Sequence, residues 1–187
     1  MEKTLYILAG ANGSGKSTIS KVLLPAEGVS YINPDDIAKD MLPQRPESAK
    51  VAAGRETLRR VSDCIERGVS FAIESTLSGT AYVKILRRAG ELGYKTSIIY
   101  TFVDSAEVCL ARIAARVRRG GHDVPADDVR RRYARSKRNF WNVYAGIADY
   151  WTLLYNGDAQ VVMVARKNND GIAIFSEMLL NRFKEGL

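Results

Sequence analysis

The chain has 187 residues, 46% of them hydrophobic and 26% charged, with a formal net charge of +7. That is enough for a single α/β domain with a real core over residues 1–187, and it excludes fibrous, low-complexity and disordered chains. No apolar run approaches the ~20 residues that cross a bilayer, and the first strand starts too near Met1 to leave room for a signal peptide, so a cytoplasmic protein without membrane contact is expected. Cys64 and Cys109 have no metal-ligand spacing and fall in helical patterns, which predicts two reduced, buried thiols.

In chain order, Thr4-Leu5-Tyr6-Ile7-Leu8-Ala9 reads as a buried strand and Ser17 to Leu24 as a short helix. Between them Gly10-Ala11-Asn12-Gly13-Ser14-Gly15-Lys16-Ser17 spells G-x-x-x-x-G-K-S, in the strand–loop–helix setting that makes this pattern a P-loop. The glycines let backbone N–H groups converge on phosphate oxygens, and the helix that follows adds the positive end of its dipole. Lys16 then reaches the β- and γ-phosphates, and the Ser17 hydroxyl ligates Mg2+. Residues Gly10 through Thr18 are therefore the expected binding site for ATP and Mg2+.

Val29 to Asn33 is a short strand leading into Pro34-Asp35-Asp36, and Ser48 to Arg67 is a helix with Val51, Leu58, Val61 and Ile65 on one face. Val69 to Glu74 is a third strand, Tyr82 to Leu92 a helix, and Thr96 to Val103 a fourth strand whose following helix is capped by Asp104 or Ser105. After Gly120-Gly121-His122-Asp123-Val124-Pro125 a long helical pattern runs from Ala126 to Leu154. Gln160 to Ala165 is a fifth strand, and a last helix covers Ile172 to Phe183. Strands alternating with helices predict a P-loop kinase-like α/β fold with a central, mainly parallel five-stranded sheet flanked by helices.

Ligands of such sheets collect at the carboxyl ends of the strands. This selects the P-loop after strand one, Asp35 and Asp36 after strand two, and Glu74, Ser75 and Thr76 after strand three. A carboxylate there suits a general base that takes a hydroxyl proton during phosphoryl transfer. Asp35, fixed by the preceding proline, is the candidate base, and Asp36 reads as a first-turn helix acid.

Residues 112 to 138 hold ten Lys/Arg against three Asp, so the remainder of the chain is neutral. Such a segment is either a nucleic-acid footprint or an arginine-rich helical lid that neutralises a triphosphate. Tyr133, Phe140 and Tyr144 share a helical stripe and do not interleave with the arginines, which disfavours a stacking platform for nucleic acid.

The segments AGANGSGKST at 9–18, YINPDDIA at 31–38, AAGRETLRR at 52–60, FAIESTLSG at 71–79 and RVRRGGHDVPADDVRRRY at 116–133 resemble the zeta-toxin family of P-loop kinases, in particular its short bacterial branch. The resemblance implies ATP-dependent phosphorylation of a UDP-activated amino sugar, typically UDP-N-acetylglucosamine, at its 3′-hydroxyl. It further implies that Lys16 binds phosphate, that Asp35 activates the hydroxyl and helps bind substrate, that Glu74 and Thr76 hold the sugar nucleotide, and that two lid arginines stabilise the transferring group. The chain is shorter than the toxins and has Asn33-Pro34-Asp35 where they carry two spaced acids; it identifies no antitoxin.

At about 100° per residue, Val129, Tyr133, Phe140, Tyr144, Ile147 and Trp151 form one buried stripe, with Arg131, Arg135 and Arg138 opposite. Arg132 borders the stripe, and in the preceding helix Arg116 lies closer to the apolar side than Arg112, Arg118 or Arg119. Arg116 and Arg132 are thus the expected catalytic arginines, with Arg119 in reserve. His122 reads as a loop contact, and Arg55 as a partner for Asp35 or Asp36. The alternatives are a P-loop kinase of another small alcohol, a nucleoside or a nucleic-acid end, or a non-catalytic ATP-dependent protein that binds RNA or a partner. No run of four apolar residues ends in Asp, which disfavours a motor or switch ATPase.

Overall fold

The computed structural model describes residues 2–23, 29–157 and 160–187; the expected end of the first helix at Leu24 lies outside them. Seven strands form one sheet in the order β2-β3-β1-β4-β5-β6-β7. They are β1 (Thr4–Ala9), β2 (Ser30–Ile32), β3 (Phe71–Ser75), β4 (Lys95–Phe102), β5 (Tyr150–Asn156), β6 (Val161–Asn168) and β7 (Gly171–Ile174). The first five run parallel, whereas β6 and β7 are antiparallel to their neighbours. The central β1 is almost wholly buried, which explains its continuous apolar run.

The helices are α1 (Lys16–Leu23), α2 (Pro34–Met41), α3 (Lys50–Glu66), α4 (Ala81–Glu91), α5 (Ala106–Val117), α6 (Ala126–Asn139), α7 (Ala145–Ile147) and α8 (Glu177–Lys184), with a π-helical turn at Phe140–Tyr144. The starts of α2, α5 and α8 are set by side-chain caps. Asn33 caps α2 by accepting from the Asp35 N–H at 3.0 Å, with Pro34 at the first helical position. Ser105, rather than Asp104, caps α5 through the Val108 N–H at 3.3 Å.

The sheet has seven strands where five are expected, and the expected long helix is not continuous. The helix expected over 126–154 ends in the π turn and α7, and Trp151, Leu153 and Leu154 belong to β5. The run Phe140, Tyr144, Ile147, Trp151 fits a 3.6-residue period. The same sequence beyond Ala148 also suits a buried strand, and apolar periodicity alone does not separate the two. Pairing with β4 decides it. The strand expected at 160–165 is β6, and β7 occupies the start of the helix expected at 172.

The principal core packs the sheet against α2, α3, α4, the π turn and α8. Tyr100 stacks on Phe140 with ring centroids 4.3 Å apart, and Phe183 and Trp151 meet Phe140 edge-on at 6.0 and 5.8 Å. A smaller cluster of Ala11, Val103, Cys109, Ile113, Val124 and Val129 joins the P-loop to α5 and α6. Cys64 and Cys109 are buried free thiols. No helix among the described residues is long and apolar enough to cross a membrane.

Candidate active site

The loop between β1 and α1 is held in place by its glycines. Gly10 has φ +138°, and a Cβ there would strike the Thr101 carbonyl of β4. At Gly13, φ +84°, a Cβ would lie 2.6 Å from the Cys109 carbonyl of α5, and at Gly15, φ +96°, it would overlap the Asn156 amide at the end of β5. Positive φ favours glycine at all three, and at Gly10 and Gly13 a neighbouring backbone carbonyl leaves no room for a Cβ. Asn156 also ties the loop down by donating from Nδ2 to the Ser14 carbonyl at 2.8 Å.

Lys16 is buried. Its Nζ donates to the Ala11 carbonyl at 3.1 Å and lies 3.7 Å from Glu74 Oε1. Burial lowers the pKa of this ammonium, and the Glu74 and Asp35 carboxylates partly offset that shift. The other Glu74 oxygen accepts from Ser17 Oγ at 3.2 Å and from the Tyr31 hydroxyl at 2.5 Å. Burial, with the Glu74 contact, pushes the Tyr31 phenol well above its ordinary range, so it serves there as a proton donor in the hydrogen bond. Glu74 therefore bridges the P-loop lysine, the P-loop serine and β2.

Asp35 and Asp36 stand in the first turn of α2, at the carboxyl end of β2. The Asp36 carboxyl is raised by burial and by the neighbouring Glu74, Asp35 and Asp40 charges. Arg55 is exposed and forms no ion pair with either aspartate among the described residues, so the expected contact is absent.

Two cavities open here. The larger, about 670 Å³, runs across the carboxyl ends of the strands, from Arg112, Arg116, His122, Asn156 and Gly157 past Gly13 and Gly15–Thr18 to Asp36, Lys39 and Lys50. The smaller, about 190 Å³, is lined by Pro34, Ser75, Thr76, Tyr82 and Arg132. Asn12, Lys16, Asn33, Asp35 and Glu74 line both. Lys16, Asp35 and Glu74 thus come together at the junction, with Thr76 in the wall of the smaller cavity; Gly10, Ala11 and Ser14 line neither.

The basic segment is divided. Arg132 is half-buried and donates to Asn12 Oδ1 and Asp128 Oδ2, each at 3.3 Å, so it reaches the P-loop. Arg116 lines the larger cavity but is exposed, with Nη2 held by the His122 carbonyl at 2.6 Å. Arg112, passed over by helical phase, lines the cavity and donates to the Asn156 carbonyl at 3.0 Å. Arg119 lines neither cavity. Arg130 pairs with Glu107 and Asp127, and Arg131 with Asp128. Lys137 is buried, donating to the Glu185 carbonyl at 3.0 Å beside the Tyr133 and Phe183 rings. Arg131, Arg135 and Arg138 are exposed on the outer face of α6. The local +7 therefore does not form one continuous cationic surface.

Tyr31, Arg112 and Asn156 escaped sequence reading. Asn156-Gly157 sits at a strand's carboxyl end and would have been selected by the same rule as Asp35, had β5 been separated from the helical pattern.

The glycine cradle, the Lys16 ammonium and the oxygen donors of Ser17 and Glu74 fit a nucleoside triphosphate with a divalent cation. Residues 5–140 match the family described as "AAA domain". A protein of Haemophilus influenzae (strain ATCC 51907 / DSM 11121 / KW20 / Rd), described as uncharacterized, is 36% identical over 133 residues, which cover 71% of this chain and 94% of that one. The fold is similar to the crystal structure of AvrRxo1-ORF1:AvrRxo1-ORF2 with sulphate ions, with TM-score 0.81 and 18% identity over 97% of this chain. This chain spans 63% of that chain's length. It is also similar to the PezAT chromosomal toxin–antitoxin system of Streptococcus pneumoniae, with TM-score 0.64 and 17% identity over 86% of this chain and 71% of that one. At such identities the two likenesses are ones of fold: a P-loop, kinase-like α/β architecture.

Proposed function

This chain belongs to the AAA-domain family matched over residues 5–140, and we propose that it is an ATP-dependent kinase that transfers the γ-phosphoryl group to a hydroxyl of a nucleotide sugar such as UDP-N-acetylglucosamine. One observation carries the reading: a P-loop cavity and a second, smaller cavity share Lys16, Asp35 and Glu74 as a common wall. A kinase needs its two substrates to meet at one point, with a base and cations around it. A motor or switch ATPase has no use for the second cavity.

In this reading Gly10, Ala11, Asn12, Gly13, Ser14, Gly15, Lys16, Ser17 and Thr18 hold the nucleotide, with the base toward Arg112 and Asn156. ATP supplies the phosphoryl group and Mg2+ neutralises phosphate charge when bound. Ser17 Oγ and the Glu74 carboxylate, 3.2 Å apart, offer oxygens on the metal side. Lys16 is aimed at the phosphates by the Ala11 carbonyl and by Glu74. Asp35 accepts the acceptor hydroxyl proton, and Thr76 contributes to the acceptor wall. Arg132, next to Asn12, faces developing negative charge from the second cavity; Arg116 does so from the first as part of a lid.

The zeta-toxin resemblance supports the nucleotide-sugar acceptor and its 3′-hydroxyl. Mixing the purified protein with ATP, Mg2+ and a panel of nucleotide sugars, neutral alcohols and nucleosides, then searching by mass spectrometry for a phosphate adduct, tests it. An adduct on UDP-N-acetylglucosamine is the expected result. Transfer to a nucleoside or neutral alcohol alone would replace the acceptor, and ATP hydrolysis without any adduct would overturn the kinase reading.

A further inference from the structure

We propose that Ser136 and Asn139 of α6 are positioning residues that set the acceptor cavity by holding the backbone of residues 76–79, an inference that rests on the kinase reading. The segment between β3 and α4 carries Thr76 into the wall of the smaller cavity. It gains its shape from α6 and the turn that follows. Ser136 Oγ donates to the Thr76 carbonyl, Asn139 Nδ2 to the Leu77 carbonyl at 2.9 Å, and the Tyr144 hydroxyl to the Gly79 carbonyl at 2.7 Å. Ser136 is fully buried and has one proton, which it gives to Thr76, so the Tyr100 hydroxyl 2.7 Å away must be the donor in their contact. The chain Tyr100 to Ser136 to Thr76 is thereby directional, and it links the sheet to the acceptor wall.

The segment would not hold this shape by itself. Leu77 has φ +51°, the left-handed region that a leucine seldom adopts, and its side chain is buried. Within the segment, Ser75 Oγ accepts from the Leu77 N–H at 3.0 Å and Thr76 Oγ1 lies 2.9 Å from Ser78 Oγ. The carbonyls are left to α6 and Tyr144.

Helical spacing gives the arrangement its purpose. Residues 132, 136 and 139 stand at i, i+4 and i+7, one stripe of α6. The stripe places the Arg132 guanidinium on Asn12 of the P-loop and, one and two turns on, Ser136 and Asn139 on the acceptor segment. A single rigid helix thus fixes the acceptor wall relative to the phosphate-binding loop. Apolar side chains would pack α6 against the same segment but would not aim its carbonyls, and hence Ser75 and Thr76, in one direction.

The test compares Ser136→Ala, Asn139→Asp and Tyr144→Phe with Arg138→Ala as an exposed neighbour, using UDP-N-acetylglucosamine as acceptor. Asn139→Asp keeps the shape and removes the donor; Tyr144→Phe keeps the ring and removes only the hydroxyl. Each bond lost should raise the acceptor KM about tenfold, with the KM for ATP within about twofold and kcat changed less than KM. Arg138→Ala should match the wild type. If Ser136→Ala fails to fold, Asn139→Asp reads the same effect. An unchanged acceptor KM in variants of an active enzyme, or an equal rise in the KM for ATP, overturns this proposal and leaves the kinase reading intact. A wild type that phosphorylates no acceptor overturns both.

Discussion

The P-loop and the basic helix–loop–helix face the same cleft, but they are secured by different means. Around the P-loop three glycines abut Thr101, Cys109 and Asn156, Lys16 is buried against Glu74, and no wider side chain fits. Around the other wall Arg116 is exposed and bound to a single carbonyl, while Arg132 is half-buried between Asn12 and Asp128. A backbone cradle fixes positions before any ligand arrives. Long side chains on solvated helices keep rotamer freedom that binding must remove. Substitutions in the first region should therefore act in an all-or-none manner, and those in the second in proportion to each residue's distance from the phosphates.

The largest effect is expected in the cradle. Lys16→Ala should abolish phosphoryl transfer while circular dichroism stays native, because Glu74 keeps Ser17 and Tyr31 as hydrogen-bond partners. Transfer at the wild-type rate would remove the P-loop from the chemistry.

Next comes the junction of the cavities. Asp35→Asn should retain ATP affinity and lose about 10²–10⁴-fold in turnover, the usual contribution of a general base. Asp36 lines only the larger cavity, and Asp36→Asn should cost less than about tenfold on the same scale. Single-turnover rates for both variants decide which aspartate takes the proton.

Arg132→Ala should lower turnover about 10²–10³-fold, as loss of one transition-state donor does, and Arg116→Ala should lower it less, since its guanidinium must first leave His122. Lysine at 132 should restore only part of the rate, because an ammonium lacks the planar fork. Equal losses for Arg116, Arg132 and the outer-face arginines would erase the contrast between a catalytic wall and a general basic patch.

A smaller change, read as stability, sharpens the other half of the contrast. Gly10→Ala forces a Cβ into the Thr101 carbonyl at φ +138° and should cost about 1–3 kcal/mol in chemical denaturation. At the bottom of the scale, Arg131→Ala, Arg135→Ala and Arg138→Ala should leave turnover within about twofold, since surface substitutions of this type act weakly. A steep salt dependence of RNA binding that these three variants abolish would instead favour a nucleic-acid partner.

Much of the contrast was legible in the residues. The P-loop announces itself because it needs glycine at fixed spacing, and strands β1 to β4 announce themselves through short apolar runs between polar or turn-forming residues. Asp35, Glu74 and Thr76 followed from the rule that sites lie at carboxyl ends of parallel strands. Charge counts do not say where a side chain ends: Lys137, one of the ten cations of the basic segment, is buried, while Arg130 and Arg131 have acidic neighbours.

By itself the sequence determined the phosphate-binding loop, four of the five parallel strands and the carboxylates at their ends, because each depends on local spacing and backbone conformation. Only the tertiary structure decided that Tyr150–Asn156 is a strand, that β6 and β7 extend the sheet antiparallel, that Arg112 and Asn156 line the cleft, and that Tyr31 holds Glu74. Those outcomes depend on which segments pair across long stretches of chain. An apolar period that fits both helix and strand is resolved only by the neighbour against which it is buried.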